Sequence, residues 1–157
     1  MADMLVRLYD LPDHSGLVAE LRRTGVEIRP ALAAEKHIVM DWVRHEFGLG
    51  WASECDKAMA NTPVSCLLAI EDGRIVGFAC HEAACRDFLG PMGVTPAARG
   101  RGIGRALLWS ALRAMAASGY AYAVVGDAGP ADFYAKAVGA EPIPNSKPGF
   151  YRGMLKT

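Results

Sequence analysis

Two apolar runs, "VSCLLAI" and "RIVGFAC", flank the dipeptide Asp72-Gly73. Both residues tolerate positive φ, which is what a two-residue turn between right-twisted strands needs. The stretch is therefore an antiparallel hairpin. Directly after it, "DFLGPMGV" is β-like but carries Gly90, Pro91 and Gly93. Proline has no N–H for a ladder, so this third strand is bulged or has a side that no neighbour pairs with.

From about Gly102 to Ser118 the pattern turns helical, and "AYAVVG" follows as a strand. Next comes a short helix opened by Pro130 at its first position, then a last pair of strand-like segments around "AEPIP" and "GFYRGML". Upstream, "MLVRLYDLP" reads as a strand stopped by Pro12, and "SGLVAELRRTG" as a helix capped by Ser15 and closed by Gly25. "VEIRPAL" is a second short strand. Apolar residues at Ile38, Val39, Trp42, Val43 and Phe47 recur at helical spacing up to Gly48 and Gly50, and "WASECDKAMAN" is a shorter helix ended by Pro63.

At 157 residues the chain is one domain with room for a substantial core. No apolar run is long enough to span a membrane, and "MADMLVRLYD" is not a signal-peptide pattern, so the expected location is cytoplasmic. Formal net charge is zero, with 17 basic and 17 acidic residues. A global basic field for nucleic acid is therefore excluded. Cys55, Cys66, Cys80 and Cys85 contain no C-x-x-C pair, and the four histidines form no H-x-x-x-H pair. The expectation is reduced thiols and no structural metal.

Charge is nonetheless segregated locally. No Asp or Glu occurs between Asp87 and Asp127, whereas Arg99, Arg101, Arg105 and Arg113 fall there, three of them interleaved with Gly100, Gly102 and Gly104. Glycine lets backbone amides approach a ligand, and a helix's first turn leaves its N–H groups free and aimed outward. Phosphate oxygens are natural acceptors at such a place. The spacing does not fit the dinucleotide fingerprint, which needs glycine where Arg105 stands, nor the phosphate loop, which needs G-K-[ST]. A surface turn before an amphipathic helix is the plainer reading of the same residues. Nucleic-acid contact is disfavoured, because no aromatic residue lies between Val94 and Leu108 to stack on a base.

The stretch from Val94 to Leu108 resembles the pyrophosphate loop of the GCN5-related N-acetyltransferases. It matches R-x-x-G-x-G at Arg99, Gly102 and Gly104, with V-x-P before it at Val94 and Pro96. A second match is "FYAKAVGA", similar to the family's F-Y-x-k-x-G-F, with Phe133, Tyr134, Lys136 and Gly139 in place and Ala140 replacing the usual aromatic. The resemblance spans roughly residues 26–157. It implies an α/β fold: a mixed, twisted central sheet of about six or seven strands, helices on both faces, opened into a V between the strands near Met92 and Val124. Residues 1–25 would be a strand–helix extension that packs on the core at the sheet edge or mediates a homodimer.

The same resemblance implies acetyl-CoA as cosubstrate and an amine as acceptor. Met92, Gly93 and Val94 would contact the pantetheine arm, and the backbone from Arg99 through Gly100, Arg101, Gly102, Ile103 and Gly104 to Arg105 would wrap the pyrophosphate. Asp127 stands where the family commonly has an asparagine, seven residues before its tyrosine. Tyr134 would protonate or hydrogen-bond the departing thiolate. Candidate bases are Glu82 and His81, then Glu46 with His45. The acceptor pocket is expected from "HEFGLGWASE" and "NSKPGFYRG", with Phe47, Trp51, Phe150 and Tyr151 as an aromatic wall. The alternative is an acyl-CoA-binding sensor without turnover.

Overall fold

The computed structural model describes residues 1–157. Its strands are β1 (Met4–Arg7), β2 (Val26–Pro30), β3 (Cys66–Glu71), β4 (Arg74–His81), β5 (Phe88–Val94), β6 (Tyr122–Val125) and β7 (Glu141–Pro142). Its helices are α1 (Ser15–Arg23), α2 (Lys36–Phe47), α3 (Leu49–Ala60), α4 (Ile103–Ala117) and α5 (Ala131–Val138). They build one seven-stranded sheet in the order β2-β3-β4-β5-β6-β1-β7. Every neighbouring pair is antiparallel except β5 with β6, so the expected mixed sheet is what forms. No helix is long and apolar enough to cross a membrane.

Helices cover both faces because the strands are apolar on both. Side chains alternate along a strand: in β3, Leu67 and Ala69 join the core under α4, α5 and α1, whereas Cys66 and Leu68 join the one under α2 and α3. The hairpin turns at Asp72 (φ 51°) and Gly73 (φ 72°), as the dipeptide requires.

The V follows from β5. It pairs with β6 only at Phe88 and Leu89, while β4 stays with it as far as Val94. Gly90 takes φ 120°, and Pro91 offers no N–H, so from there on nothing of β6 can continue the ladder. A gap opens beside Gly90–Val94.

Several local expectations are corrected. Ser15 is the first residue of α1 rather than its cap; His14 holds the cap position and the Ser15 N–H donates to Asp13 Oδ1 at 2.8 Å. Likewise Pro130 stands one place before α5, at the cap. Gly48 (φ 96°) alone separates α2 from α3, and Gly50 lies inside α3. After Arg7 the chain makes a single 3-10 turn, Leu8–Asp10, instead of continuing as a strand.

The segment "GFYRGML" forms turns, not a strand, because its Phe150 N–H is taken by the Asp3 carboxylate at 3.0 Å and its Arg152 N–H by Gly149 O. Nor does the N-terminal strand sit at an edge. β1 lies inside the sheet, paired with β6 on one side and β7 on the other, and α1 packs beside α4.

Candidate functional site: a cleft between the splayed strands

At the mouth of α4, Gly102 caps the helix in the left-handed region (φ 84°). That conformation favours glycine, and a Cβ there would also lie 2.9 Å from Leu17 Cδ1 of α1, which would have to shift. The first intrahelical donor is Ala106 N–H, to Gly102 O at 3.0 Å. The amides of Ile103, Gly104 and Arg105 are thus left without helical acceptors and carry the positive end of the helix dipole. No acidic residue shares that turn. Of the three arginines, Arg99 donates from Nε to Val94 O at 3.0 Å, and Arg101 grips Glu71 with two bonds of 3.1 and 2.6 Å. That pairing holds the Glu71 carboxyl below its ordinary range. Arg105 has no ion-pair partner.

A cleft of about 1010 Å³ runs from this turn along the free part of β5 to α5. Met92, Gly93, Val94, every residue from Arg99 to Arg105, and Tyr134 line it together. The backbone-rich, cation-flanked end suits a pyrophosphate, and the open strand edge of β5 offers amide and carbonyl groups to an extended arm. His14 and Lys136 also reach the cleft. His14, far from the loop in sequence, gave no local pattern to read; its Nε2 donates to Ala137 O at 2.7 Å and so ties the start of α1 to α5. Lys136 was visible within the "FYAKAVGA" match.

Tyr134 sits in the first half of α5, 7% exposed, its ring edge-on to Phe133 at 5.1 Å. Its hydroxyl has no hydrogen-bond partner in the protein, and burial pushes the phenol up to about 12. The group is consequently a neutral donor at any ordinary pH.

Phe47 and Trp51 close the opposite wall, stacked at 5.0 Å over Gly93, where a Cβ would fall 2.6 Å from the Phe47 ring. The other expected aromatics form a second cluster: Phe150 packs on Phe88 at 4.9 Å and on Tyr151 at 5.2 Å, and the Tyr151 hydroxyl donates to Glu54 Oε1 at 2.8 Å. This cluster is tied to the strand ends through Asp3, whose carboxylate also accepts the Asp127 N–H at 2.8 Å.

Asp127, Glu82 and His81 also lie outside the cleft lining, as do the further candidate bases Glu46 and His45. Asp127 (φ 48°) borders a separate hollow of about 220 Å³ with Asp3, Tyr151 and Arg152. Glu82 accepts from the Asp87 N–H at 2.8 Å and the Tyr120 hydroxyl at 2.9 Å. His81 pairs across to Leu89, one residue before the splay; its Nδ1 is buried without a partner, and burial holds its pKa below the ordinary value. The cysteines, all free, offer a result that sequence spacing did not reveal: the sulfurs of Cys55, Cys66 and Cys80 lie within 4.8 Å of one another.

Comparison with known proteins bears on this geometry. A fungal multi-domain GH3 β-N-acetylglucosaminidase contains a GCN5-related glucosamine N-acetyltransferase region that superposes with a TM-score of 0.74 at 18% identity, over 90% of this chain and 19% of that one. A GCN5-related N-acetyltransferase from Sphaerobacter thermophilus gives 0.69 at 22% identity, over 90% and 48%. This chain thus spans about a fifth and about half of those two proteins. A GNAT-family acetyltransferase from Brucella melitensis, solved with acetyl-CoA, gives 0.50 at 26% identity, over 69% and 80%. No curated protein matches. The family model described as "Acetyltransferase (GNAT) family" matches residues 36–140, about two thirds of the sequence and including β5, the α4 loop and α5. The chain belongs to the GNAT family of acetyltransferases.

Proposed function

We propose that this protein transfers an acetyl group from acetyl-CoA to an amine by direct attack, with Tyr134 as general acid. One observation carries the reading: a single cleft joins the free amides of α4 to a buried, neutral and unpartnered phenol. In this reading the amides of Ile103, Gly104 and Arg105 hold the pyrophosphate, the free edge of Met92–Val94 aligns the pantetheine arm, and the thioester ends beside Tyr134. The amine nitrogen attacks the thioester carbon, the C–S bond breaks, and the thiolate takes a hydrogen bond or proton from the Tyr134 hydroxyl. Asp127, with its backbone N–H held by Asp3, acts from outside the cleft by fixing the chain between β6 and α5.

Of the two leading bases, His81 fits better than Glu82. Both carboxylate oxygens of Glu82 already accept hydrogen bonds, whereas His81 keeps a free ring nitrogen and a lowered pKa, so it is neutral and able to accept a proton near pH 7. The amine's proton would reach it through water.

The experiment is a panel of amines with acetyl-CoA, following thiol release. Turnover of any amine supports transfer. Binding of acetyl-CoA with no turnover across a broad panel favours the sensor. With an acceptor in hand, kcat/KM of the wild type, expressed per unprotonated amine, should fall on acidification only below about pH 6.5, the ordinary histidine value, since burial lowers the His81 pKa. His81→Gln should remove that limb, and a limb that persists unchanged in this variant rejects His81 as the base.

A further inference from the structure

Cys55 comes from α3, Cys66 from the first position of β3 and Cys80 from near the end of β4, where it stands directly opposite Cys66 in the ladder. All three side chains are fully buried. The Cys55 and Cys66 sulfurs are 3.9 Å apart, and no pair of the three exceeds 4.8 Å. A pyramidal centre bonded to three sulfurs at about 2.3 Å spaces them somewhat closer than the about 4.0 Å of a coplanar one, so the thiols need draw together only by on the order of an ångström. The three thiols therefore already stand close to the arrangement that one bridging atom needs.

The surroundings choose among bridging atoms. The packed neighbours are Val39, Val43, Ala52, Met59, Leu68 and Phe78, no Lys or Arg charge acts on the three thiols, and no His, Asp or Glu atom joins their sulfurs. Zinc with three thiolates would lack its fourth ligand and leave a net negative charge; a monovalent soft cation with three thiolates would leave two. Uncompensated charge in such an apolar shell is strongly unfavourable. A trivalent centre that takes three thiolates, keeps a lone pair in the fourth direction and ends neutral meets every condition. Burial holds the Cys80 thiol well above the usual range, which suits a reaction that starts from thiols and ends without charge.

We propose that Cys55, Cys66 and Cys80 form a trithiol site for trivalent arsenic. The reaction balances without a redox step: arsenous acid and three thiols give one arsenic held by three As–S bonds and three waters, each hydroxide leaving with one thiol proton, and arsenic stays trivalent. Entry requires α3 to lift from the sheet, so association is slow, as local opening is. Once formed, the adduct staples α3 to the β3–β4 hairpin one helical turn from Trp51.

The test uses the purified, reduced chain, arsenite as probe, gel filtration and elemental analysis. One arsenic per chain is expected, with an unchanged far-ultraviolet circular dichroism spectrum and, at arsenite a hundredfold above its Kd, a melting temperature about 5 to 11 °C higher. Cys85→Ala should keep that arsenic, because Cys85 is half-buried and outside the cluster. Cys55→Ala, Cys66→Ala and Cys80→Ala should each retain less than about a tenth of it, as three bonds fall to two. Should any of these three fail to fold, wild type and Cys85→Ala still decide. No arsenic on folded wild type, its loss in Cys85→Ala, uptake only with loss of helical signal, or displacement by equimolar zinc would each overturn the proposal.

Discussion

The two ends of the cleft are built from different material. At the α4 end the ligand-facing surface is backbone: free amides, a left-handed glycine and an open strand edge, all within residues 90–105. At the other end it is side chains, Phe47 and Trp51 from the α2–α3 junction, and outside that lining stands a second aromatic cluster, Phe150 and Tyr151 from the C-terminal turns, held down by Asp3 from the N-terminus. A site made of local backbone leaves a contiguous trace in sequence. One made by tertiary convergence does not.

Tyr134 lies between the ends and should give the largest effect. Tyr134→Phe keeps the ring against Phe133 but deletes the hydroxyl, so kcat should fall on the order of 10² to 10³ while KM for acetyl-CoA hardly changes. Because the phenol stays protonated up to about 12, wild type should show no loss of kcat from this group around pH 10, where an ordinary tyrosine would titrate. A wild-type rate in the variant with chemistry limiting would make Tyr134 a packing residue and leave the two ends joined by nothing chemical.

Asp3→Ala strikes the side-chain end alone. It removes the acceptor of the Asp127 and Phe150 N–H groups, and partly buried hydrogen bonds of this kind contribute about 0.5 to 1.5 kcal/mol each. Thermal melting should drop accordingly, and KM for the amine should rise because the Phe150–Tyr151 turn loosens. The increment in melting temperature produced by acetyl-CoA should be preserved. If that increment collapses too, the ends are mechanically coupled and the contrast fails.

Gly104→Val strikes the backbone end. A Cβ there makes only ordinary contacts, 3.6 Å to Val94 and 3.7 Å to Phe133, so the fold should tolerate it while the branched methyls enter the cleft. Affinity for acetyl-CoA should fall at least about tenfold, removing about 3 to 6 °C from the stabilisation it confers at saturation. Gly102→Val is the poorer probe, since it clashes with Leu17 and strains a positive φ before any ligand is considered. An unchanged increment in folded Gly104→Val would remove the loop from the site.

This contrast explains what could be read without the structure. The hairpin, the broken third strand, the glycine-rich turn before α4 and the short helix that carries Tyr134 each rest on residues adjacent in the chain, and each of these elements forms where the pattern put it. The V was legible because Gly90 and Pro91 interrupt the strand locally, and Pro91 has no N–H to offer a neighbour. The place of β1 was not, because four alternating residues carry no information about which strand they join. "GFYRGML" has β-like composition, yet its amide finds a carboxylate at Asp3 that no local rule anticipates. Cys66 and Cys80 are fourteen positions apart, a separation that means nothing until the hairpin register sets them opposite each other.

The smallest expected effect concerns the charge at the backbone end. Arg101 lines the cleft but spends its guanidinium on Glu71, so the loop carries less free positive charge than its sequence suggests. Glu71→Gln keeps the side chain's size and removes the competing negative charge. Exposed pairs of this kind are weak, so acetyl-CoA should bind at most about fivefold more tightly. Salt should erase the gain, because both groups are accessible to screening ions. Arg101→Ala should lose a similarly small factor relative to Glu71→Gln, and combining it with Glu71→Gln should cancel most of the change, since the carboxylate acts largely through this one partner. Calorimetric titration at low and high salt reads all three variants. A gain that survives high salt would mean that Glu71 acts on the shape of the loop rather than on its charge, and the backbone end would then depend on a side chain thirty residues upstream in the way the opposite end depends on Asp3.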